Sequence, residues 1–222
     1  MYRLALCLLV VMLIFASMPV HAQEDSGKLH CNVFLRPVTF DSFDPNNPLA
    51  SLNEATVPRP TFGGCYKTQV EAIHIGTEGA ISLPNDATQS EVDQAIRQYE
   101  RALLLSDDAS TEAVTRSPAI IAIGYSGRNY QGAAWYYYDP SGYGCTPAGP
   151  QNFWFPDYSA QGFPNDDLES IVAYASCNTI NVYEHVSFAG QYIRVDNYVA
   201  SIYDPYTGVD LNNKVSSSIH LG

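Results

Sequence analysis

From residue 119 onward, the chain consists of short strand-like runs of apolar, β-branched and aromatic residues. Clusters of Gly, Pro, Asn and Asp separate these runs, and several short strands at such spacing predict a β-sandwich. The runs cover residues 119–123, 133–138, 171–175, 179–183, 191–195 and 215–221.

A 3.6-residue period appears before this region and predicts one amphipathic helix. Its apolar stripe comprises Val92, Ala95, Ile96, Tyr99, Ala102 and Leu103. The run from Thr88 to Glu91 is a capping box, in which the Thr hydroxyl and the Glu carboxylate satisfy backbone amides at the start of the helix. Asp93 and Arg97 lie one turn apart on the opposite face, which we interpret as a solvated face.

The rest of the first half mixes turn signals with short apolar stretches. Residues 36–64 are rich in Pro, Asn, Asp and Gly, which predicts irregular structure. Residues 70–75 alternate apolar and polar positions and, with 80–83, predict a small β-hairpin. The composition changes at Ser117-Pro118, so the predicted fold class is mainly β, with a small α+β segment at 23–117 before the sandwich. That segment is a separate small domain, a propeptide or a support for the sandwich; the sequence leaves these open.

The first 22 residues have the pattern of a signal peptide. Arg3 precedes an apolar run at 4–16, and Val20-His21-Ala22 gives a small-residue cleavage pattern. The run of about 13 residues is short for a bilayer span, which needs about 20; an uncleaved anchor is the alternative. We therefore expect cleavage near Ala22 and a secreted, extracellular or periplasmic protein without a membrane span in its mature form.

The charge of the chain argues against nucleic acid as a partner. The sequence has 11 Lys and Arg against 23 Asp and Glu, a net charge of −12. Loss of the leader removes one Arg, so the mature charge is 10 − 23 = −13. Binding to phosphates needs clustered cationic side chains, which such a chain lacks.

Four cysteines remain once the leader and its Cys7 are removed: Cys31, Cys65, Cys145 and Cys177. An even number in an exported protein predicts two disulfides. Three pairings are possible, and the wide gap in sequence between the second and third cysteines favours Cys31–Cys65 with Cys145–Cys177. A structural zinc site is the rival interpretation, but no C-x-x-C or close Cys/His pair is present.

Two ordered signatures occur twice between residues 118 and 222, which indicates an internal duplication. The first has the form aromatic, four residues, aromatic, any residue, Gly, and it occurs at 125–132 and 183–190. The second is a turn rich in Asn, Asp and Ser, at 165–170 and 212–217. Gly132 and Gly190 suit a folded hairpin that needs positive φ, and an aromatic ring covers each corner.

These signatures resemble those of the βγ-crystallin superfamily, Y/F-x-x-x-x-F/Y-x-G followed by N/D-N/D-x-x-S/T-S. The second repeat matches both, whereas in the first repeat Glu169 replaces the hydroxyl residue. The resemblance covers about 105 residues and does not extend to 23–117. It implies a sandwich of two Greek keys, at 118–176 and 177–222.

In calcium-binding relatives, each ion lies between the turn of one Greek key and the hairpin of the other. The resemblance therefore implies two metal sites. The first set is Asn213, the carbonyl of Lys214 and Ser216, with Ser126 or Gly127 opposite. The second set is Asp166, the carbonyl of Asp167 and Glu169, with Glu184 or His185 opposite. The second set is richer in carboxylates, so we expect it to bind Ca²⁺ more tightly.

The turns also have a purely structural interpretation, because Asn, Asp and Ser side chains commonly cap backbone groups in turns. The calcium interpretation rests on the preference of this hard cation for six to eight oxygen ligands. One or two ions with the affinity of extracellular modules, about 10⁻⁴–10⁻³ M, are expected.

Catalytic motifs are not apparent, so the chain is not expected to be an enzyme. The run Gly124-Tyr125-Ser126-Gly127 lacks the G-x-S-x-G spacing of a nucleophile elbow. Glu184-His185 is not part of an H-E-x-x-H motif, and no phosphate-binding glycine loop is present.

Two classes of function follow. The first is a secreted, non-catalytic calcium-binding module that acts in extracellular stability, in the cell envelope or in adhesion. The second is a peptidase inhibitor, because a family of microbial metalloprotease inhibitors is similar to this fold. In that case an extracellular protease is the partner, and the Pro- and Gly-rich loop around Cys145 is the contact region.

Overall fold

The structure, a computed structural model, describes residues 29–35, 60–105, 116–145, 152–159 and 165–222. The predicted signal peptide lies outside the described residues. Two sheets contain the ten strands of the described part, which are β1 (His30–Phe34), β2 (Thr61–Tyr66), β3 (Ala119–Gly127), β4 (Gln131–Asp139), β5 (Asn152–Phe155), β6 (Ser170–Ala173), β7 (Thr179–His185), β8 (Ala189–Asp196), β9 (Tyr198–Val199) and β10 (Ser217–Leu221). Two helices, α1 (Gln69–Gly76) and α2 (Gln89–Leu105), precede the sandwich.

The strand order confirms two Greek keys. One sheet has the order β2-β1-β4-β3-β6-β9 and the other has the order β5-β10-β7-β8. In the first key β6 returns beside β3, and in the second key β10 returns beside β7, while the third strand of each key (β5 or β9) joins the sheet of the other. Each key therefore completes the other, and the two cannot be separated without breaking both sheets.

The main core lies between the two sheets. Alternate residues of β5 and β7 point into it, including Phe153, Phe155, Ile180 and Val182, all fully buried. Burial of such side chains, at about 1.5–3 kcal/mol each, is the main stabilising contribution to the sandwich. The aromatic run at 135–138 is also buried, so these side chains belong to the core and not to a recognition surface.

Described residues of the first half extend the first sheet by two strands and cover its outer face with two helices. Strand β1 runs parallel to β4, and β2 pairs antiparallel with β1. Both helices cover the outer face of this sheet, where Ile73, Val92 and Ile96 pack in one buried cluster with Tyr136 and Tyr138. This arrangement supports the interpretation of the segment as a support for the sandwich; the domain boundary at 117/118 stays a prediction.

The prediction of a hairpin at 70–83 is wrong, since residues 69–76 form helix α1. The Thr68 side chain caps this helix by accepting a hydrogen bond from the Glu71 amide at 3.2 Å. The apolar residues of this helix pack on the first sheet. A pattern this short fits a strand or a helix, and burial against the sheet favours the helix. The irregular prediction for 36–64 is also wrong at its end, where 61–64 belong to β2; residues 36–59 lie outside the described part.

The capping box and the amphipathic helix are confirmed. The Thr88 amide donates to the Glu91 carboxylate at 2.7 Å, and the Glu91 amide donates to the Thr88 hydroxyl at 3.3 Å. The interpretation of the opposite face as solvated is wrong in part. Asp93 Oδ1 accepts a hydrogen bond from the Tyr174 hydroxyl at 3.1 Å, and the Arg97 guanidinium lies 5.6 Å from the centre of the same ring.

Both predicted disulfides are confirmed. Cys31–Cys65 joins directly opposed residues of β1 and β2, and Cys145–Cys177 joins the loop after β4 to the segment before β7. Two disulfides are compatible with an extracellular protein. None of the helices in the described ranges is long and apolar enough to cross a membrane.

Candidate functional site

The two predicted hairpins have the same backbone conformation. Asn129 and Tyr130 in the first have φ of 56° and 61°, and Ser187 and Phe188 in the second have 56° and 59°. Gly132 and Gly190 also have positive φ, as the duplication predicted. Non-glycine residues adopt this left-handed conformation uncommonly. Its recurrence at equivalent positions shows the internal duplication in the backbone itself.

The last serine of each turn fastens the hairpin of its own key. Ser170 donates to the Gly127 carbonyl at 2.6 Å and accepts from the Tyr130 amide at 3.1 Å. Ser217 makes the equivalent bonds, to the His185 carbonyl at 2.7 Å and from the Phe188 amide at 3.1 Å. For these two serines the structural interpretation of the turns is correct.

The two turns lie side by side at the boundary between the keys. The Asp166 amide donates to the Val215 carbonyl at 3.3 Å, and the Asn213 amide donates to the Leu168 carbonyl at 3.1 Å. Asp166 and Asn213, second in their turns, both have positive φ, 64° and 55°. The reciprocal bonds bring the side chains of one turn next to those of the other.

Three oxygen atoms converge where the first turn meets the second key, and we name this group the Asp166 site. The Ser216 hydroxyl oxygen lies 3.0 Å from Asp166 Oδ1 and 2.8 Å from the Glu184 carbonyl oxygen. A serine hydroxyl carries one hydrogen and so donates fully to only one of these two acceptors. The hydroxyl hydrogen therefore serves one of the two acceptors at a time, while the Asn165 side-chain amide donates to the other carboxylate oxygen, Asp166 Oδ2, at 2.9 Å.

The second turn meets the first key at an equivalent position, where the side chains are different. We name this group the Glu169 site. The Asn213 side-chain amide donates to Glu169 Oε1 at 2.5 Å. The other oxygen of this carboxylate lies 3.7 Å from the Arg128 Nε. Arg128 belongs to the hairpin of the first key and its side chain is 58% exposed, against 20% for Glu169.

The structure thus groups the predicted residues differently from the sequence. Ser216 lies with Asp166 and Glu184, whereas the resemblance implied that it lies with Asn213. Glu169 lies with Asn213, whereas the resemblance implied that it lies with Asp166. The fifth residue of each turn therefore contacts the second residue of the opposite turn, because the two turns hydrogen-bond to each other across the boundary between the keys.

The remaining predicted residues lie around these two groups. Ser126 and Glu184 occupy equivalent places, and their side chains accept hydrogen bonds from the Ala133 amide at 2.9 Å and the Gln191 amide at 3.4 Å. The Lys214 ammonium donates to the Asp210 carbonyl at 3.1 Å; the carbonyls of Lys214 and Asp167 stay predicted ligands. Burial, together with the charge of Glu169, raises the pKa of the Asp167 carboxyl.

The residues of the Asp166 site fit a hard cation, and those of the Glu169 site do not. The first offers a carboxylate, a hydroxyl and a carbonyl, all oxygen donors of the kind that Ca²⁺ prefers. In the second, an amide N–H and a guanidinium already face the carboxylate. Among the described residues no group of three or more His, Cys, Asp or Glu side chains forms a metal cluster.

Sequence reasoning missed Arg128. The signal was a difference between the two repeats. The first key has an acid at the fifth position of its turn, Glu169, and a base in its hairpin. The equivalent residues of the second key are Ser216 and Val186, which are uncharged. A pair of opposite charges at matched repeat positions indicates a contact, but the spacing alone did not place the two close together.

A search of the solved structures found domains similar to 45–46% of this chain. The similar solved structures are βγ-crystallin domains. The N-terminal domain of Protein S is 21% identical, with 46% of this chain and 96% of that chain covered and a TM-score of 0.32. A domain from Clostridium beijerinckii is 22% identical (45% and 97% covered, TM-score 0.31), and one from an archaeon is 19% identical (46% and 98%, TM-score 0.32). No protein-family model and no curated protein matches the sequence.

Proposed function

We propose that this protein is a secreted, non-catalytic calcium-binding module of the βγ-crystallin type, in which one ion binds at the Asp166 site. The observation that carries the proposal is the convergence of the Asp166 carboxylate, the Ser216 hydroxyl and the Glu184 carbonyl around a single hydroxyl hydrogen. The bound ion supplies positive charge to the Asp166 carboxylate and to whichever acceptor the single Ser216 hydrogen does not serve.

The position of these oxygens gives the ion a structural role. Asp166 belongs to the turn of the first key, while Ser216 and Glu184 belong to the turn and the hairpin of the second key. An ion held by all three links the two keys, so binding favours the folded state over the unfolded chain. At about 1 mM Ca²⁺ and a dissociation constant of about 0.1 mM, the linkage adds about 1.4 kcal/mol to the free energy of unfolding.

A secreted location suits this role. Calcium-binding modules of the extracellular space have dissociation constants of about 10⁻⁴–10⁻³ M, and the two disulfides suit the same compartment. The acidic chain, with a net charge of −12, also attracts divalent cations. The biological setting that we propose is stability of an extracellular or envelope structure, or adhesion.

Calorimetric titration of the chelator-treated protein with Ca²⁺ tests the proposal. We expect one ion per chain, together with a rise in melting temperature at millimolar Ca²⁺. Asp166→Asn or Ser216→Ala should weaken binding at least tenfold, because each removes one converging oxygen or its charge. Asp86→Asn is the matched control, since it removes one exposed acid that is far from both turns in sequence. Normal binding in both site variants, or none in the unmodified protein, would refute the proposal.

Inhibition of a peptidase is the second candidate function, and the loop after β4 favours it. The Asp139 carboxylate accepts four hydrogen bonds at 2.6–3.0 Å from the amides of Ser141, Tyr143 and Gly144 and from the Ser141 hydroxyl. The Cys145–Cys177 disulfide closes this loop. A loop fixed in this way loses little conformational entropy when a protease binds it.

Incubation with a thermolysin-like metalloprotease and with a serine protease separates the two functions. Stoichiometric loss of protease activity would favour the inhibitor. Full protease activity at an excess of this protein, together with calcium-linked melting, would exclude inhibition of the proteases tested and leave the calcium-binding module.

A further inference from the structure

We infer that the Glu169 site is a second cation position that the chain fills with its own guanidinium, so that Arg128 limits the protein to one calcium ion. The inference rests on the proposed function of the Asp166 site. The proposed function concerns the ion at the Asp166 site, whereas here Arg128 occupies the equivalent Glu169 site.

The internal duplication provides the comparison. Arg128 and Val186 are the fourth residues of the two hairpin signatures, and Glu169 and Ser216 are the fifth residues of the two turns. The first key therefore has a base and an acid where the second key has two uncharged side chains. The backbone around these positions is equivalent, with Glu169 and Ser216 donating their amides to the Tyr125 and Tyr183 carbonyls, each at 2.9 Å.

The contacts explain why a metal ion is excluded from the Glu169 site. One carboxylate oxygen accepts from the Asn213 amide nitrogen, and the other faces Arg128 at 3.7 Å. A guanidinium stays charged at any pH at which the protein folds. A divalent ion that approached the carboxylate would meet this positive charge, and the Asn213 amide would have to turn its oxygen inward to become a ligand.

Removal of the guanidinium should open the site without unfolding the protein. Arg128 is more than half exposed, and exposed ion pairs contribute little to stability. With Gln at position 128 the Glu169 carboxylate is left without its cation. The Asn213 amide is then able to turn its oxygen toward an ion shared with that carboxylate.

The test is the calcium stoichiometry of the unmodified protein, Arg128→Gln and the control Arg194→Gln, measured by calorimetry after chelator treatment. Arg194 is a good control because it is similarly exposed, at 63%, and pairs with Asp196 at 2.9 Å on another part of the surface. We expect one ion in the unmodified protein, two in Arg128→Gln and one in Arg194→Gln. Adding Asp166→Asn to each of these three proteins should remove one ion. No ion should then remain in the unmodified and Arg194→Gln backgrounds, and one should remain in the Arg128→Gln background.

The outcomes separate this inference from the proposed function. One ion in both the unmodified protein and Arg128→Gln, or two in the unmodified protein, would overturn the role of Arg128 and leave the Asp166 site standing. No ion in the unmodified protein but one in Arg128→Gln would support the role of Arg128 and reject the Asp166 site. No ion in either protein would reject both.

Discussion

Ser170 and Ser217 show how far single residues were predictable. Each was expected in an Asn/Asp/Ser turn, and each fastens its own hairpin through one donated and one accepted hydrogen bond. The neighbouring fifth positions were harder, since Glu169 and Ser216 contact the opposite turn. A signature fixes local conformation, but a contact across the boundary between the keys depends on how the two keys are arranged.

His220 is a second residue whose environment the sequence did not indicate. It is fully buried beside Tyr137, with ring centres 5.3 Å apart, and its Nε2 lies 3.0 Å from the Ser218 hydroxyl oxygen. Burial lowers the pKa of His220 to about 3. The folded protein therefore holds this imidazole neutral, whereas the unfolded chain takes up a proton near pH 6.5.

The stability of the protein should therefore fall as the pH drops from about 6.5 toward 3. In this window the unfolded state binds one more proton than the folded state at this residue, and the contribution is fully present above pH 6.5. The loss between pH 6 and pH 4 should be about 2 kcal/mol in the free energy of unfolding. Denaturant titrations of the metal-free protein at several pH values measure it.

His220→Gln should remove this part of the pH dependence, although the substitution also lowers stability overall. The difference between the two proteins isolates His220 from groups that act in the opposite direction, such as Glu100, whose pKa burial raises. An unchanged slope in His220→Gln would contradict the assignment.

Helix α2 shows what could be predicted for an element. Its capping box and apolar stripe were sufficient to predict its existence and its first turn. The surface that it covers was not predictable, because its polar contact Tyr174 lies 81 residues away in sequence. Asp93, Arg97 and Glu100 all contact Tyr174 or Ala175, where Glu100 accepts a hydrogen bond from the Ala175 amide. The face read as solvated thus attaches the helix to the first Greek key.

Tyr174→Phe tests this attachment. The change removes the hydroxyl that donates to Asp93 and leaves the ring under Arg97, so the free energy of unfolding should fall by about 1–2 kcal/mol. Tyr192→Phe is the matched control, since the Tyr192 side chain is 47% exposed, and it should change stability by less than about 0.5 kcal/mol. Chemical denaturation measures both; equal effects would show that the Tyr174 hydroxyl does not fasten the helix.

Short elements were the least predictable. Residues 70–75 fit a strand or a helix equally in their apolar pattern, and capping by Thr68 with burial against the first sheet decided for the helix. Strand β9 has two residues and β5 has four, of which Phe153, Trp154 and Phe155 are all buried. Neither shows the alternation that a half-buried strand needs to be recognised.

At the scale of the whole molecule, the two Greek keys were predicted from the resemblance of the duplicated signatures to those of the βγ-crystallin superfamily. The interdependence of the keys explains the candidate site. Each key gives its third strand to the sheet of the other, so the turns and hairpins of both keys meet at one boundary. The contribution of the first half was not predictable, because β1 pairs with β4 in parallel across about a hundred residues of sequence. The Cys31–Cys65 disulfide holds β2 beside β1 at that end of the sheet.

The central claim is that one calcium ion joins the two keys at Asp166, Ser216 and the Glu184 carbonyl. A crystal structure determined in 10 mM CaCl₂, with anomalous data to identify calcium, tests it most directly. We predict one anomalous peak about 2.3–2.6 Å from all three oxygen atoms, with Arg128 still beside Glu169. An empty Asp166 site at this concentration, or a calcium peak on Glu169 in its place, would contradict it.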